Sequence, residues 1–226
     1  MLIDIKSSPL TISKPTFIVF EGLNGSGKSS AIQHVAKLLK EKSTPYFLTG
    51  EPGGSKLGTK LRELLLASNE KFSKLAEIFL FLADRAEHVE QIIEPKLASG
   101  NWVISDRYYY STIAFQGFGR GFDPIKLKEL NLIAIKNRVP DLVILLDIDP
   151  QTGLERNLAA KKSIKQGEDK FETELLEFHQ KVREGYLKMA STYPEKFVLI
   201  DASKTKNEVL AEITDLFSKI LNQKIK

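Results

Sequence analysis

The sequence has no cysteine among its 226 residues, which excludes disulfide frameworks, zinc–thiolate sites and cysteine nucleophiles. A chain of this length can bury a sizeable core without such staples. Long hydrophobic runs are also missing. Leu142–Leu146, the most hydrophobic strand-like stretch, is far short of the ~20 apolar residues that span a bilayer. The first 14 residues include Asp4, Lys6, Ser7, Ser8 and Pro9 and lack the apolar centre of a signal peptide. They read as a tail ahead of one domain over 15–226. These features predict a cytoplasmic protein with no membrane partner. Charge of one sign is scarce too, with 33 basic residues against 29 acidic and a net charge of +4. The lysines are dispersed, densest at Lys161, Lys162 and Lys165, with no basic stripe interleaved with aromatics. No nucleic-acid partner is expected.

What is present is a repeating alternation of short apolar runs and longer amphipathic ones. Strands are expected at Phe17–Glu21, Pro45–Thr49, Asn101–Ser105, Leu142–Asp147 and Phe197–Asp201. The fourth is the most hydrophobic and is expected to be central. Helices are expected over Lys28–Lys42, Leu57–Ala67, Lys74–Ala98 (one long helix or two stacked ones), Pro124–Lys136, Gln151–Ala160, Lys170–Ser191 and Lys206–Leu221. Lys161–Glu168 reads as a polar loop. A βα order of this kind predicts an α/β fold, a parallel five-stranded sheet with helices on both faces. Ligands then bind beyond the carboxyl ends of the strands.

The segment after the first strand is Gly22-Leu23-Asn24-Gly25-Ser26-Gly27-Lys28-Ser29, followed by Ser30. It matches G-x-x-x-x-G-K-[ST] between a strand and a helix, so the fold is of the P-loop NTPase type. Glycines let the backbone N–H groups turn inward, and the helix N-terminus adds its positive end. Lys28 can reach the β- and γ-phosphates, and the Ser29 hydroxyl can bind Mg²⁺. The loop implies a nucleoside triphosphate and leaves the acceptor open.

Three further clusters bear on the acceptor. One is Glu51-Pro52-Gly53-Gly54, after the second strand. Another runs from Phe79 to Arg85 on a helix, and the third is Asp106-Arg107-Tyr108, continuing through Ser111 and Thr112 to Phe115-Gln116-Gly117. Asp106 can hold Mg²⁺, directly or through water. Arg107 offers a fork that matches phosphate oxygens. Phe81 and Arg85 are four apart and share one helix face, and an aromatic there can stack on a base.

Together these segments resemble the thymidylate kinase family. The resemblance rests on EGLNGSGKSS, EPGGSKLGTKLRELLL, ADRAEHV, DRYYYSTIAFQG and IDASK, in that order between Phe17 and Lys204. It implies direct in-line transfer from ATP, with Mg²⁺, to dTMP. On that pattern Arg107 contacts the acceptor phosphate, Phe81 stacks on thymine, Arg85 donates to a thymine carbonyl, and Phe115 crowds a 2′-hydroxyl. Thr112 and Gln116 face the base edge, and Glu51, Pro52 and Ser111 complete the dTMP site. Ala202 and Lys204 lie in the segment whose backbone meets adenine. A homodimer through the helices of Lys74–Ala98 is also implied.

The family pattern places a small mobile lid at about 161–170. Gly25 stands where some members carry a basic residue in the loop, so the lid is expected to supply the charge. It holds only lysines: Lys161, Lys162, Lys165 and Lys170. Either one of them suffices, with Lys165 the catalytic candidate, or Arg156 on the preceding helix reaches in. Two positions depart from the pattern. Asn24 replaces an acid that meets the deoxyribose, and Gly50 replaces an arginine that often precedes EPGG. A kinase for another nucleoside monophosphate and a nucleotide-binding pseudokinase are the alternatives.

Overall fold

A computed structural model describes residues 16–67, 72–164, 171, 174–194 and 196–222, and of residues 161–164 the backbone alone. Its centre is one parallel sheet of five strands: β1 (Phe17–Glu21), β2 (Tyr46–Gly50), β3 (Trp102–Asp106), β4 (Leu142–Asp147) and β5 (Phe197–Asp201). The spatial order is β2-β3-β1-β4-β5. Parallel neighbours require crossovers, and here helices supply them and cover both faces. Every residue of β1 is therefore buried, as are the first five of β4. The middle strand is β1 and not β4, against expectation. Hydrophobicity reports burial on two faces, which all interior strands share, and does not rank them.

The helices are α1 (Lys28–Glu41), α2 (Lys56–Arg62), α3 (Lys74–His88), α4 (Glu94–Ala98), α5 (Tyr109–Thr112), α6 (Pro124–Ala134), α7 (Pro150–Ile164), α8 (Leu176–Thr192) and α9 (Lys206–Asn222). The expected long segment over 74–98 is continuous, because a π-helical turn at Val89–Ile93 joins α3 to α4. Caps account for several starts. The Ser73 hydroxyl accepts from the Ala76 N–H and the Ser55 hydroxyl from the Gly58 N–H, each satisfying an orphan donor of the first turn.

Most boundaries agree with the sequence reading to within two residues, and three differences are larger. Residues 109–119, outside the expected helices, are helical: α5 runs into a π-helical turn over Ile113–Gly119. Their glycines and β-branched residues disfavour helix locally, and packing against α8 overrides that preference. Helix α7 runs to Ile164, four residues beyond Ala160, and α8 starts at Leu176 rather than at Lys170.

The contact between α8 and the 113–119 turn is close because small residues allow it. A Cβ on Gly185 would lie 2.6 Å from the Phe118 ring, and one on Gly119 would lie 2.5 Å from Phe178. Replacing glycine by alanine inside a helix ordinarily stabilises by up to ~1 kcal/mol. Here the methyl group meets the root of a ring that cannot swing aside. Gly185→Ala is expected to destabilise by about 1–3 kcal/mol through overpacking, measured as a fall in the urea unfolding midpoint.

Candidate active site

All five strands end on one edge of the sheet, and the segments leaving β1, β2 and β3 line a single cavity of about 870 Å³. The phosphate loop forms its floor. Gly25 has φ +78°, and a Cβ there would meet the Gly153 carbonyl of α7 at 1.9 Å. Any side chain at this position is excluded while α7 sits where it does, so the loop itself offers no cation beyond Lys28. The Lys28 ammonium donates to the carbonyls of Gly22 (3.1 Å) and Leu23 (3.0 Å). Burial, reinforced by the Arg107 charge, pushes its pKa down to about 8. Ser29 and Ser30 are exposed and line the cavity with Asn24, Gly25, Gly27 and Lys28. Gly22 and Ser26 lie beneath, and the buried Ser26 hydroxyl has no hydrogen-bond partner among the described residues.

Arg107 stands across from the loop. Its backbone is left-handed, φ +70°, an uncommon conformation for a non-glycine residue. The Arg107 N–H donates to the Phe20 carbonyl, which fixes the turn. The guanidinium donates to Asn24 Oδ1 (2.6 Å), Ser111 Oγ (3.1 Å) and Tyr186 Oη (3.3 Å) and lies over the Phe115 ring at 5.2 Å. Glu21 underlies this group. Its fully buried carboxylate accepts from the Tyr108 and Ser111 N–H groups and from the Ser111 and Tyr186 hydroxyls, at 2.7–3.2 Å. Burial raises its pKa, while Arg107 and these donors pull it back. Asp106, beside Arg107, lines the cavity, and its Oδ1 is buried without a hydrogen-bond partner among the described residues. That orphaned oxygen and the Ser29 hydroxyl fit a hard cation. Among the described residues no cluster of three metal-ligating side chains occurs, so such a cation takes its remaining ligands from phosphate and water.

The far end of the cavity is aromatic and charge-balanced. Phe81 and Phe115 flank Phe171, with ring centroids 6.2 and 5.6 Å from it. Arg85 is buried, with Nε on Glu51 Oε2 (2.7 Å), Nη1 on Thr112 Oγ1 (2.9 Å) and on Asn131 Oδ1, and Nη2 on the Tyr108 carbonyl (3.3 Å). These bonds take four of its five N–H groups. The other Glu51 oxygen meets His88 Nδ1 at 2.9 Å. Pro52 follows through a cis peptide bond, and its carbonyl accepts from Arg62 at 2.7 Å. The Asp84 carboxylate accepts from the Gly53 N–H at 3.0 Å, and burial with Glu51 nearby pushes its pKa up to about 6. Gln116 lines the same wall and donates to Glu77 Oε1 at 3.0 Å.

The nucleoside end beyond the phosphate loop is less enclosed. Arg156 lines the cavity and donates to the Ala202 (2.7 Å) and Ser203 (3.2 Å) carbonyls. Ala202 and Lys204 are not on the cavity wall, and the Lys204 ammonium pairs with Glu212. Lys165 and Lys170 lie outside the described residues, as do the side chains of Lys161 and Lys162.

The structure thus brings Asn24, Lys28, Ser29, Glu51, Pro52, Phe81, Arg85, Asp106, Arg107, Ser111, Thr112, Phe115 and Gln116 to one cavity. Glu21, Arg62, Asn131, Phe171 and Tyr186 were not anticipated. Glu21 carried a readable signal, an acid closing an otherwise apolar strand. Asn131, Phe171 and Tyr186 sit in helical or loop segments whose local pattern is that of core.

Lys28 yields the prediction for this site. Phosphate binding favours its charged form, so above its lowered pKa nucleotide binding must take up a proton. Nucleotide affinity is expected to weaken as pH rises from 7 towards 9. Calorimetry near pH 8.5, in buffers of different ionisation enthalpy, should record an uptake of up to about one proton that is absent near pH 6.5.

Comparison with known proteins agrees with this geometry. The sequence pattern of the family described as Thymidylate kinase matches residues 20–213. A thymidylate kinase of Nitratidesulfovibrio vulgaris is 46% identical over 211 residues, covering 91% of this chain and 97% of the relative. One from Carboxydothermus hydrogenoformans is 48% identical over 198 residues, covering 87% and 94%. The crystal structure of thymidylate kinase from Ehrlichia chaffeensis superposes with a TM-score of 0.70 at 31% identity, covering 89% of this chain and 98% of that one. With a family pattern spanning most of its length and relatives this similar, the chain belongs to the thymidylate kinase family.

Proposed function

We propose the residue-level route by which this chain performs the ATP-dependent phosphorylation of dTMP to dTDP that membership of its family gives it. One observation carries the route: the phosphate loop, Arg107 and the aromatic pocket share one continuous cavity. A donor phosphate chain on the loop and an acceptor base between Phe81 and Phe115 then leave the two reacting groups facing each other near Arg107. An oxygen of the dTMP phosphate attacks the γ-phosphorus of ATP, the bond from that phosphorus to the β-bridging oxygen breaks, and ADP leaves. The acceptor phosphate is already anionic, so no general base is needed. Positioning and charge stabilisation supply the catalysis.

In this route Lys28 and the loop N–H groups hold the donor phosphates, and Arg107 gives up part of its fork to the acceptor phosphate. Asn24, Ser111 and Tyr186 keep Arg107 aimed. Ser29 and Asp106 would hold Mg²⁺, which when bound neutralises charge on the phosphate oxygens. Arg85, Thr112 and Gln116 read the base edge, Phe81 stacks on it, and Phe115 crowds the sugar. Glu51 and Pro52 shape the wall behind Arg85. The Ala202–Lys204 segment meets adenine, and Arg156 braces it from below. Lid charge comes from 161–170, with Lys165 as the candidate. The crowded Gly25 position supports that division, since the loop has no room for a cation beyond Lys28.

We assign the protein to the cytoplasm, where both nucleotides are available; no helix among the described residues is long and apolar enough to cross a membrane. We also assign it a homodimer through α3 and α6. Leu75 and Phe79 are 47% and 52% exposed one turn apart on α3, and Ile133 on α6 is 75% exposed. Apolar groups gathered so on adjacent helices suit a partner surface. Phe79→Asp should halve the mass measured by light scattering if that face pairs, whereas an unchanged mass would point to another interface or none.

The acceptor test is ADP release from MgATP over dTMP, dUMP, dCMP, dGMP, dAMP and UMP. dTMP is expected to lead, with dUMP second and UMP poor. Arg107→Met should cut kcat by about 10²-fold or more with the fold intact, and Lys28→Ala should abolish turnover. A different leading acceptor would overturn the base-edge assignments. Nucleotide binding with no turnover for any acceptor would mark a pseudokinase.

A further inference from the structure

We infer that Glu77 is a specificity-determining positioning residue: it locks the orientation of the Gln116 amide and thereby makes the site reject bases with a cytosine-type edge. The inference rests on the reading of Gln116 as a base-edge contact.

Glu77 lies in the first turn of α3, 5% exposed, and Gln116 on the 113–119 turn is 2% exposed. Glu77 Oε1 receives two donors, Gln116 Nε2 at 3.0 Å and Arg120 Nε at 2.9 Å. Arg120 also pairs with Glu174 at 2.9 Å and lies over the Phe171 and Phe178 rings, which anchors the arrangement. At the sequence level neither residue stands out: Glu77 reads as an ordinary first-turn acid, and Arg120 as a loop cation.

The chemistry follows from what each group can do. A carboxylate paired with an arginine only accepts. Gln116 must therefore turn its NH₂ towards Glu77, so its orientation is dictated by the partner. One N–H is spent there. The carbonyl oxygen and the remaining N–H are what Gln116 can offer to the cavity it lines, and their handedness is fixed.

A thymine or uracil edge presents an N3–H flanked by carbonyl oxygens. The Gln116 oxygen can accept from N3–H while its free N–H donates to a carbonyl, and the donor-only guanidinium of Arg85 lines the same cavity. A cytosine-type edge presents a bare N3 and an amino group, and matching it requires the Gln116 amide to turn over. That would point the amide oxygen at the Glu77 carboxylate, acceptor against acceptor in a buried place, and would forfeit the Glu77 bond. Unpaired polar groups of this kind are what make a hydrogen-bonding site selective.

The probe is 5-methyl-dCMP, which differs from dTMP only along that edge. For the unaltered enzyme, kcat/KM for dTMP should exceed that for 5-methyl-dCMP by about a hundredfold or more. Glu77→Gln/Arg120→Met replaces the fixed acceptor by an amide that no arginine orients and that can pair with either orientation of Gln116. It should narrow the ratio at least about tenfold while leaving the dTMP to dUMP ratio unchanged, because those two bases present the same edge. A merely structural loss would lower all three substrates together. Should that enzyme fail to fold because Glu174 is left without Arg120, Glu77→Leu, which offers Gln116 no acceptor in either orientation, serves for the same measurement. Gln116→Leu separates the two readings. If it leaves the ratio untouched, Gln116 does not read the base and the inference falls with that reading. If Gln116→Leu shifts the ratio but the Glu77 variants do not, only the role of Glu77 is overturned.

Discussion

The buried carboxylate of Glu21 is the interaction on which the rest of the site depends. It ends the central strand and immediately precedes the phosphate loop. Desolvation works against its charged form, and that cost is partly offset by Arg107 nearby and by donors from two other elements. The Tyr108 and Ser111 N–H groups belong to the start of α5, so Glu21 satisfies orphan donors at a helix N-terminus from across the sheet. The Tyr186 hydroxyl comes from α8. One side chain thus ties together the loop after β1, the Arg107 turn after β3 and helix α8. Removing one partner of a buried charge commonly costs about 3–5 kcal/mol, which explains why these elements hold a common geometry without ligand.

The acceptor end follows a similar logic with the signs reversed. Arg85 is a cation almost wholly removed from water, and Glu51, Thr112, Asn131 and the Tyr108 carbonyl share it. Glu51 in turn takes His88, whose Nε2 meets Thr49 at 2.6 Å. Such a network is preorganised, so on the proposed route a base between Phe81 and Phe115 would meet donors already in place. Binding costs less ordering as a result, and selectivity comes from whichever groups cannot reorient.

The fold was legible in the sequence to within a few residues, because five apolar strand runs and the phosphate-loop motif are strong local signals. The strand order was only partly so: the hydrophobicity of β4 marks it as interior and cannot say which interior strand is the middle one. The helical character of 109–119 was hidden, since Gly117, Gly119 and the β-branched residues oppose helix until α8 packs on them. On the site side, the residues of the phosphate loop and of the acceptor clusters reached the cavity together, while Ala202 and Lys204 did not. Of the residues that hold them, Glu21 showed only as an acid closing an apolar strand, and Asn131 and Tyr186 were illegible because they act across 46 and 165 positions of sequence. Asn24 shows the other limit. It departs from the family pattern, and only the structure shows that its carbonyl oxygen is one of the partners of Arg107.

The central claim is that donor and acceptor occupy one cavity with Arg107 between their phosphates. It is tested most directly by titrating the protein with an adenosine–thymidine pentaphosphate bisubstrate analogue and measuring displacement by each substrate alone. The account predicts one analogue per chain, displaced competitively by both ATP and dTMP, and bound more tightly than either by the effective-concentration gain of linkage. An analogue that ATP displaces and dTMP does not would contradict it, since the acceptor would then bind outside the cavity described.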